Sequence, residues 1–535
     1  MSSSQHGHHT VMGECDVAVV GYGPVGMATA ALLAQAGHRV IVLERYAGLY
    51  NLPRAAIFDD ETMRTLDKLG VAQELLPKVH VQRTYEWCDA DGEVLIDVDY
   101  AEVGRSGWAE WYMMYQPDLE EALDRVCRSF PQVTIRHGDR VTALEQTASG
   151  VVVTVEGPDG PGAVTARYVV ACDGGNSFVR RSLGVDQDDY GFSEPWMVCD
   201  FRLRRPVDVP PARQVGDPRR PTSIISLGPS HHRFSFMLDS EEDFAVQRAP
   251  ELVWARVAAY LGPQDADLIR VATYTFRSLI AHHWRIGRIM LAGDAAHQMP
   301  PFLGQGMCSG VRDAQNLAFK LDLILTGRAE EDLLDSYQPE REPHVRAVVE
   351  KGIELGRLQT IRDPEAAAAR NRELLARRAK GRKQEKIRFP GLATGFLAKE
   401  SAPGRGELSV QGVVDDGARR ARLDQIIGHG FHLLVTEPVR RELDRDGLVT
   451  ALEAAGVRVA TLAWEAPTSG DVLFDVDGTY HEWFTGHGCS AVAVRPDFYV
   501  FGTACDAAAT RILAGELLAG LGTGATIPAG ASHSL

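Results

Sequence analysis

No Cys-x-x-Cys pair occurs anywhere in this chain. Its eight cysteines are scattered at irregular spacing, which excludes a disulfide scaffold or a cysteine zinc site and fits reduced thiols in a cytoplasmic protein. Positive charge is scarce as well: 56 Lys and Arg stand against 72 Asp and Glu, leaving a formal charge of −16. That balance argues against a nucleic acid or an acidic membrane surface as partner. Long apolar runs are absent too. Residues 18–37 carry no charge, but three glycines and a proline interrupt them, so a membrane span is not expected. The opening MSSSQHGHHT has no apolar segment, so no signal peptide is expected and residues 1–13 read as a disordered tail. His6, His8 and His9 then belong to a solvated tail, and no metal site is expected. The Gly/Ala/Ser-rich residues 521–535 read as a second flexible tail.

What the chain does have is concentrated in Asp16–Glu44, DVAVVGYGPVGMATAALLAQAGHRVIVLE. An apolar strand-length run leads into Gly21, Gly23 and Gly26, spaced G-x-G-x-x-G. A small-residue helix follows, then a second apolar run closed by Glu44. This is the order of a dinucleotide-binding βαβ unit. Gly21 permits the tight turn, Gly23 lets backbone approach a pyrophosphate, and Gly26 lets helix and strand pack. Free N–H groups at the helix start, around Pro24 and Val25, suit phosphate. Glu44 can accept from a ribose and disfavours a 2′-phosphate, so FAD or NAD fits better than NADP.

Further along, Pro53-Arg54-Ala55 precedes a helical pattern at 60–69. Arg54 reads equally well as a surface charge or as a cofactor contact. Arg83–Cys88 and Glu93–Val98 alternate around Asp91-Gly92 as a hairpin, and 116–130 reads as a helix. A second segment, YVVACDGGNSFVRR at 168–181, runs a strand into Asp173-Gly174, followed by Ser177 and Arg180. A third, at 288–321, ends a strand at Gly293-Asp294 and continues through Pro300-Pro301 to Gly304-Gln305-Gly306-Met307 and a helix. There the loop brings backbone N–H groups at a helix start against a ligand that becomes anionic.

The expected organisation is α/β. A Rossmann-like FAD-binding domain takes 14–187 and 276–360, with 83–108 on the substrate side. An inserted antiparallel sheet forms a substrate domain at 188–275, a helical linker runs over 361–407, and a small α/β domain over 408–520.

Together the three segments resemble the FAD-dependent aromatic-ring hydroxylases of the p-hydroxybenzoate hydroxylase type, over roughly residues 14–360. Pro53-Arg54-Ala55, Gln116-Pro117-x-Leu119-Glu120 and Pro300-Pro301-Phe302-x-Gly304-Gln305-Gly306-Met307 resemble the branch of 3-(3-hydroxyphenyl)propionate and polyketide aromatic hydroxylases. Arg495-Pro496-Asp497-x-Tyr499-Val500 resembles that branch's thioredoxin-like C-terminal domain, here also without a redox pair. That domain is expected to serve structure or self-association, as in a homodimer.

The resemblance implies non-covalent FAD, NADH or NADPH as electron donor, and ortho-hydroxylation of a phenol by O₂ through a C4a-hydroperoxyflavin. The implied substrate is a 3-(3-hydroxyphenyl)propionate-type acid, with a polyketide or other fused-ring phenol, or a non-hydroxylating FAD oxidoreductase, as alternatives. A halogenase is disfavoured because Trp108-Ala109-Glu110-Trp111 lacks that class's spacing. By the same resemblance Gly21, Gly23, Pro24, Val25, Gly26, Glu44, Arg45, Arg54, Gln116, Val141, Asp173, Gly174, Asp294, Pro301, Gly304, Gly306 and Met307 would contact FAD. Pro301 and Gly304 would lie beside the reacting ring, and His297 is a candidate base. Tyr112, Met113, Met237 and Phe302 are candidates for lining the substrate pocket.

Overall fold

The computed structural model describes residues 10–239, 242–381, 387–400, 402–445, 447–465 and 472–522. The chain divides into two compact units, one of 1–102, 109–314 and 345–388, the other of 103–108, 315–344 and 389–535.

The first unit is built on an eight-stranded sheet. Thr10–Val20 lies at its centre, parallel to Val40–Glu44 on one side and to Gly160–Ala171 on the other. Ile289–Leu291 extends the parallel run beyond Gly160–Ala171, and Val133–His137 extends it beyond Val40–Glu44. Val17, Ala18 and Val19 are wholly buried, as a central strand covered on both faces requires. The helix Pro24–Gln35 makes the first crossover and is buried from Gly26 to Ala34, which its run of small residues allows. The three glycine-bearing segments therefore end adjacent strands of one sheet. The first strand begins at Thr10, paired with Gly162, so the expected N-terminal tail is shorter than 13 residues; residues 1–9 lie outside the described ones.

A second eight-stranded sheet runs in the order His297–Gln298, Ala266–Ala281, Gln187–Leu203, His231–Met237, Thr222–Ser226, Ala212–Val215, Thr84–Cys88, Val94–Asp99. One face buries Met197, Cys199, Phe201, Phe234 and Phe236 with Val253 and Val257 of the helix Pro250–Val257. The expected boundary at 275/276 falls inside a single strand. Ala266–Ala281 pairs with Gln187–Leu203 along almost its whole length, so the two carry the chain continuously between the sheets. At the edge, Leu279 and Ile280 pair with Gln298 and His297. A third, three-stranded sheet joins Ile57–Asp59, Trp111–Met113 and His80–Val81.

The expected helical linker is corrected. Its helix, Pro364–Ala379, belongs to the first unit and is pinned there, Arg370 donating to the carbonyls of Leu358 and Gly216 at 3.0 and 2.7 Å. Residues 382–386 lie outside the described ones, and no helix occurs among those described from 387 to 407. Pro390, Gly391, Gly395, Pro403, Gly404 and Gly406 explain that break.

The second unit holds a seven-stranded sheet in the order Arg420–Arg422, Val413–Asp415, Leu473–Asp475, Val457–Ala463, Phe431–Thr436, Ala491–Val494, Val500–Ala504. Its parallel core with an antiparallel edge hairpin is the thioredoxin-like arrangement. The helix expected over 439–455 is two, Glu437–Arg445 and Leu448–Ala454, interrupted by Gly447 at φ +69°. Leu521, expected in a flexible tail, is wholly buried in this unit's core; residues 523–535 lie outside the described ones. Lys320, Glu340, Arg495 and Asp497 form a buried ion cluster: Arg495 reaches Glu340 at 2.7 Å and Asp497 at 2.6 Å, and Lys320 reaches Glu340 at 2.9 Å. Burial pushes the Cys489 thiol up to about 11, which keeps it protonated and unreactive at neutral pH. No helix among the described residues is long and apolar enough to cross a membrane.

Candidate functional site

The loop after the first strand separates two kinds of glycine. A Cβ on Gly21, at φ +99°, would lie 2.5 Å from the Cys172 carbonyl oxygen, and one on Gly26 would lie 2.1 Å from that of Gly21. A Cβ on Gly23 would meet nothing within 4 Å. So Gly21 and Gly26 are glycine because the protein packs there, while Gly23 faces open space that leaves its backbone accessible. Gly23 also starts the helix Pro24–Gln35 with no side-chain cap, which leaves N–H groups for an anion.

Glu44 is more committed than its ribose role required. One oxygen accepts from Tyr22 N at 2.7 Å and the other from Tyr46 N at 2.9 Å, so it shapes the glycine loop as well as facing it. Arg45 lies over the Tyr46 ring at 4.9 Å and Arg54 over the Tyr50 ring at 4.3 Å, with the two tyrosines 6.1 Å apart. Sequence reading missed both tyrosines; their place between two arginines within ten residues was the available signal.

Gln116 requires a correction. It is buried, its Oε1 accepts from Arg54 N at 3.0 Å and Ala55 N at 2.6 Å, and its Nε2 donates to Glu120 at 2.6 Å. With both ends of the amide engaged it fixes the Arg54 loop, and a direct adenosine contact is not its first role. Val141 is buried and paired with Val155, a core position in its strand.

The second and third segments are bolted together. Asp173 accepts from Val179 N at 3.1 Å, and Ser177 caps the same short helix by accepting from Arg180 N at 2.9 Å. The Arg180 guanidinium donates to the carbonyls of Gly175 and Ala295, both at 2.9 Å. Gly174, at φ +80°, again has nothing within 4 Å of a notional Cβ. Asp294 is exposed, yet protein crowds its carboxyl enough that desolvation holds it above the ordinary carboxylate range, with the His297 and Arg54 charges pulling against the shift.

His297 is the second correction. It is fully buried, its Nε2 sits 2.7 Å from Asp313 Oδ2, and Asp313 also accepts from Gly293 N at 3.0 Å. With no exposed surface and its Nε2 held by Asp313, His297 braces the Gly293-Asp294 turn from inside the protein.

Beyond Pro300 the chain turns at Gly304, φ +62°, and starts the helix Gly306–Leu325 with Met307. Pro301 is exposed and Phe302 half-buried. Phe302 meets Phe192 edge-on at 5.7 Å and Trp196 at 5.9 Å. Trp196 pairs across strands with Met237 and Tyr274, so these residues share the sheet face that carries Phe302. Arg233 and Asp200 pair on that face too, and Arg233 donates to the Arg54 carbonyl at 2.6 Å. Tyr112 is removed from the face: it stacks on Phe58 at 5.1 Å and its hydroxyl accepts from Ala109 N at 3.0 Å. Met113 is buried in the three-stranded sheet. Both are core residues, and only Met237 and Phe302 of the four pocket candidates come together.

Glycines with open space around them, an uncapped helix start and a carboxylate on neighbouring strand ends mark a dinucleotide-binding protein, and these residues fit FAD. Residues 14–352 match the family described as FAD binding domain, and residues 406–519 match the HcaD C-terminal domain. The chain belongs to the FAD binding domain family and is an FAD-dependent aromatic hydroxylase using a nicotinamide electron donor. It is 51% identical over 508 residues, 94% of each chain, to a probable NADH-specific resorcinol 4-hydroxylase of Rhodococcus jostii (strain RHA1). It is 34% identical to a 3-(3-hydroxy-phenyl)propionate/3-hydroxycinnamic acid hydroxylase of Mycolicibacterium smegmatis, over 92% of this chain and 90% of that one. Among solved structures it resembles aklavinone-11 hydroxylase in ternary complex with FAD and aklavinone, at TM-score 0.78 and 27% identity, covering 95% of this chain and 99% of that one.

Proposed function

We propose that this enzyme hydroxylates a small uncharged phenol of the resorcinol type, rather than a phenylpropionate acid. The carbon attacked would be ortho to one hydroxyl and para to the other. The overall reaction consumes one NADH, one proton and one O₂ and yields the ring hydroxyl, NAD⁺ and water.

The observation that carries this reading is the near full-length 51% identity to the resorcinol 4-hydroxylase of Rhodococcus jostii. The sheet face agrees with it. Its cation Arg233 is taken up by Asp200 and by the carbonyls of Pro53 and Arg54, and Arg270 Nη1 closes on Asp200 and the Pro53 carbonyl, so among the described residues the face carries no cation without an acidic partner. Trp196, Met237, Tyr274 and Phe302 offer an aromatic and thioether surface suited to a flat ring, and Ser235, on the same face, offers a hydroxyl.

FAD, when bound, supplies hydride acceptance and oxygen activation. The chain's residues bind and orient. Gly23 and the start of Pro24–Gln35 would take the diphosphate, Asp294 a sugar-like hydroxyl, and the Gly304–Met307 turn the negative edge of the ring system. The exposed Arg45–Tyr46–Tyr50–Arg54 group offers charge and aromatic faces for a nucleotide donor.

The test is substrate-stimulated NADH oxidation over resorcinol, phenol, 3-(3-hydroxyphenyl)propionate and a fused-ring phenol, with products identified. The reading expects resorcinol-type rings to give the highest kcat/KM with one hydroxyl added. Preference for the propionate would return the assignment to the acid.

A further inference from the structure

Beneath the Gly304–Gly306 turn lies the short strand Ile57–Asp59. Its alternate residues Ile57 and Asp59 face the turn, while Phe58 points away to stack on Tyr112. Gly304 sits directly on Ile57: a Cβ there would come 2.3 Å from the Ile57 side chain. One position further, Gln305 Nε2 donates to Asp59 Oδ2 at 3.0 Å, and Gln305 Oε1 accepts from Arg312 Nη1 at 2.8 Å. Arg312 closes the ring, donating to the same Asp59 oxygen and, through Nε, to Glu61 at 2.6 Å. The other Asp59 oxygen caps the helix Asp60–Lys68, accepting from Thr62 N at 2.9 Å and from its hydroxyl at 2.7 Å. Asp59, Gln305 and Arg312 are all buried. Burial pushes the Asp59 carboxyl up, but Arg312, Gln305 and Thr62 together outweigh it and hold it below the ordinary range, so it is charged.

We propose that Asp59, with Ile57 below Gly304 and Arg312 behind Gln305, is a positioning device that sets both the placement and the electrostatics of the Gly304–Met307 turn toward the isoalloxazine ring. The proposal rests on the reading that this turn faces FAD. Gln305 has one end of its amide held by Asp59, 246 positions away, and the other by Arg312, seven positions on, so its peptide, and the N–H groups on either side of it, are fixed before any ligand arrives. Reorganisation is thereby avoided when charge develops on the ligand. The carboxylate also balances the Arg312 cation at the start of the helix. Reduction adds negative charge to the ring system, so removing the Asp59 charge leaves Arg312 less balanced and favours the reduced form.

The experiment compares wild type, Asp59→Asn and Asp59→Asn/Arg312→Gln as FAD-loaded proteins. Asparagine keeps the size and its one oxygen can still cap Thr62, while the acceptor that Asp59 Oδ2 offers Gln305 and Arg312 becomes an amide donor, so the variant keeps the helix cap and breaks the link to the turn. Asp59→Asn is expected to bind FAD within about threefold of wild type, to shift the reduction potential to more positive values, and to alter the visible flavin spectrum. The double variant is expected to move the potential back toward wild type. Unchanged potential and spectrum in FAD-loaded Asp59→Asn, with only a lowered Tm, would make Asp59 a plain helix cap and overturn the proposal. A wild-type protein that takes up no FAD would overturn the functional reading itself, and the proposal with it.

Discussion

His297 Nε2 and Asp313 Oδ2 lie 2.7 Å apart, and neither side chain has exposed surface. The pair spans from the edge strand of the substrate sheet to the helix Gly306–Leu325, and Asp313 reaches from it to Gly293 N at 3.0 Å. One buried carboxylate thus holds the Gly-Asp turn in place, and Asp294 projects from the turn it fixes.

His297→Gln keeps a donor for Asp313, and the expected result is a folded, FAD-binding enzyme whose kcat/KM has the same pH dependence as wild type. Asp313→Ala strands Gly293 N and His297 and is expected to cost about 2–4 kcal/mol of stability, one charged hydrogen-bond network, with loss of FAD affinity. Loss of the acidic limb of the pH profile in His297→Gln would restore the histidine as a base.

Asp294→Ala removes a charge-assisted hydrogen bond worth roughly 1.5–3 kcal/mol, so the FAD Kd should rise about ten- to a hundredfold. Because desolvation raises the Asp294 pKa, its carboxylate is lost already above the ordinary carboxylate range, and FAD affinity should weaken as pH falls through that raised value. The sign for the free protein is opposite: the raised pKa contributes stability below the unfolded value that is lost as pH rises through the folded one. Equilibrium FAD titration from neutral to acidic pH measures the first effect, and an unchanged Kd in a folded variant would remove Asp294 from the cofactor site.

A Cβ at Gly356 would lie 2.5 Å from the Phe302 ring and 2.8 Å from that of Phe192. Gly356→Ala is therefore expected to push Phe302 and raise KM for the phenol several-fold. FAD affinity should stay unchanged, and overpacking should cost about 1–3 kcal/mol of stability. Steady-state kinetics with a fluorescence FAD titration separate the two; an unchanged KM would place Phe302 outside the substrate pocket.

Within the C-terminal unit, Arg495→Met breaks a buried pair with both Glu340 and Asp497 and should cost about 3–5 kcal/mol in a denaturant melt. Burial pushes the Glu340 carboxyl up, but Arg495 and Lys320 overcome it and hold it well below the ordinary range. Its contribution is therefore present above the unfolded carboxylate pKa and is lost as pH falls through the depressed value. An acid-stability profile identical in wild type and Glu340→Gln would contradict this.

The sequence showed the glycine-spaced turn, its flanking strands and the three strand-end segments because their signals are local: period-two runs, G-x-G spacing and Asp-Gly ends. It did not show what joins them. Asp59 meets Arg312 across 253 positions and Arg180 meets Ala295 across 115, and no local pattern encodes such a partner. The same limit hid the partners of His297 and Gln116, since only the fold shows that Asp313 holds the one and the Arg54 loop the other. Strands of two or three residues, such as His297–Gln298 and Ile57–Asp59, are too short for alternation to register.

The most direct test of the account is turnover of resorcinol with NADH under ¹⁸O₂, with the product analysed by mass spectrometry. Flavin-dependent monooxygenation predicts one ¹⁸O atom on the aromatic ring of a trihydroxybenzene, the second leaving as water, with NADH consumed in equal amount. Label entering the ring from H₂¹⁸O, or NADH oxidation that yields only hydrogen peroxide with every phenol offered, would contradict it.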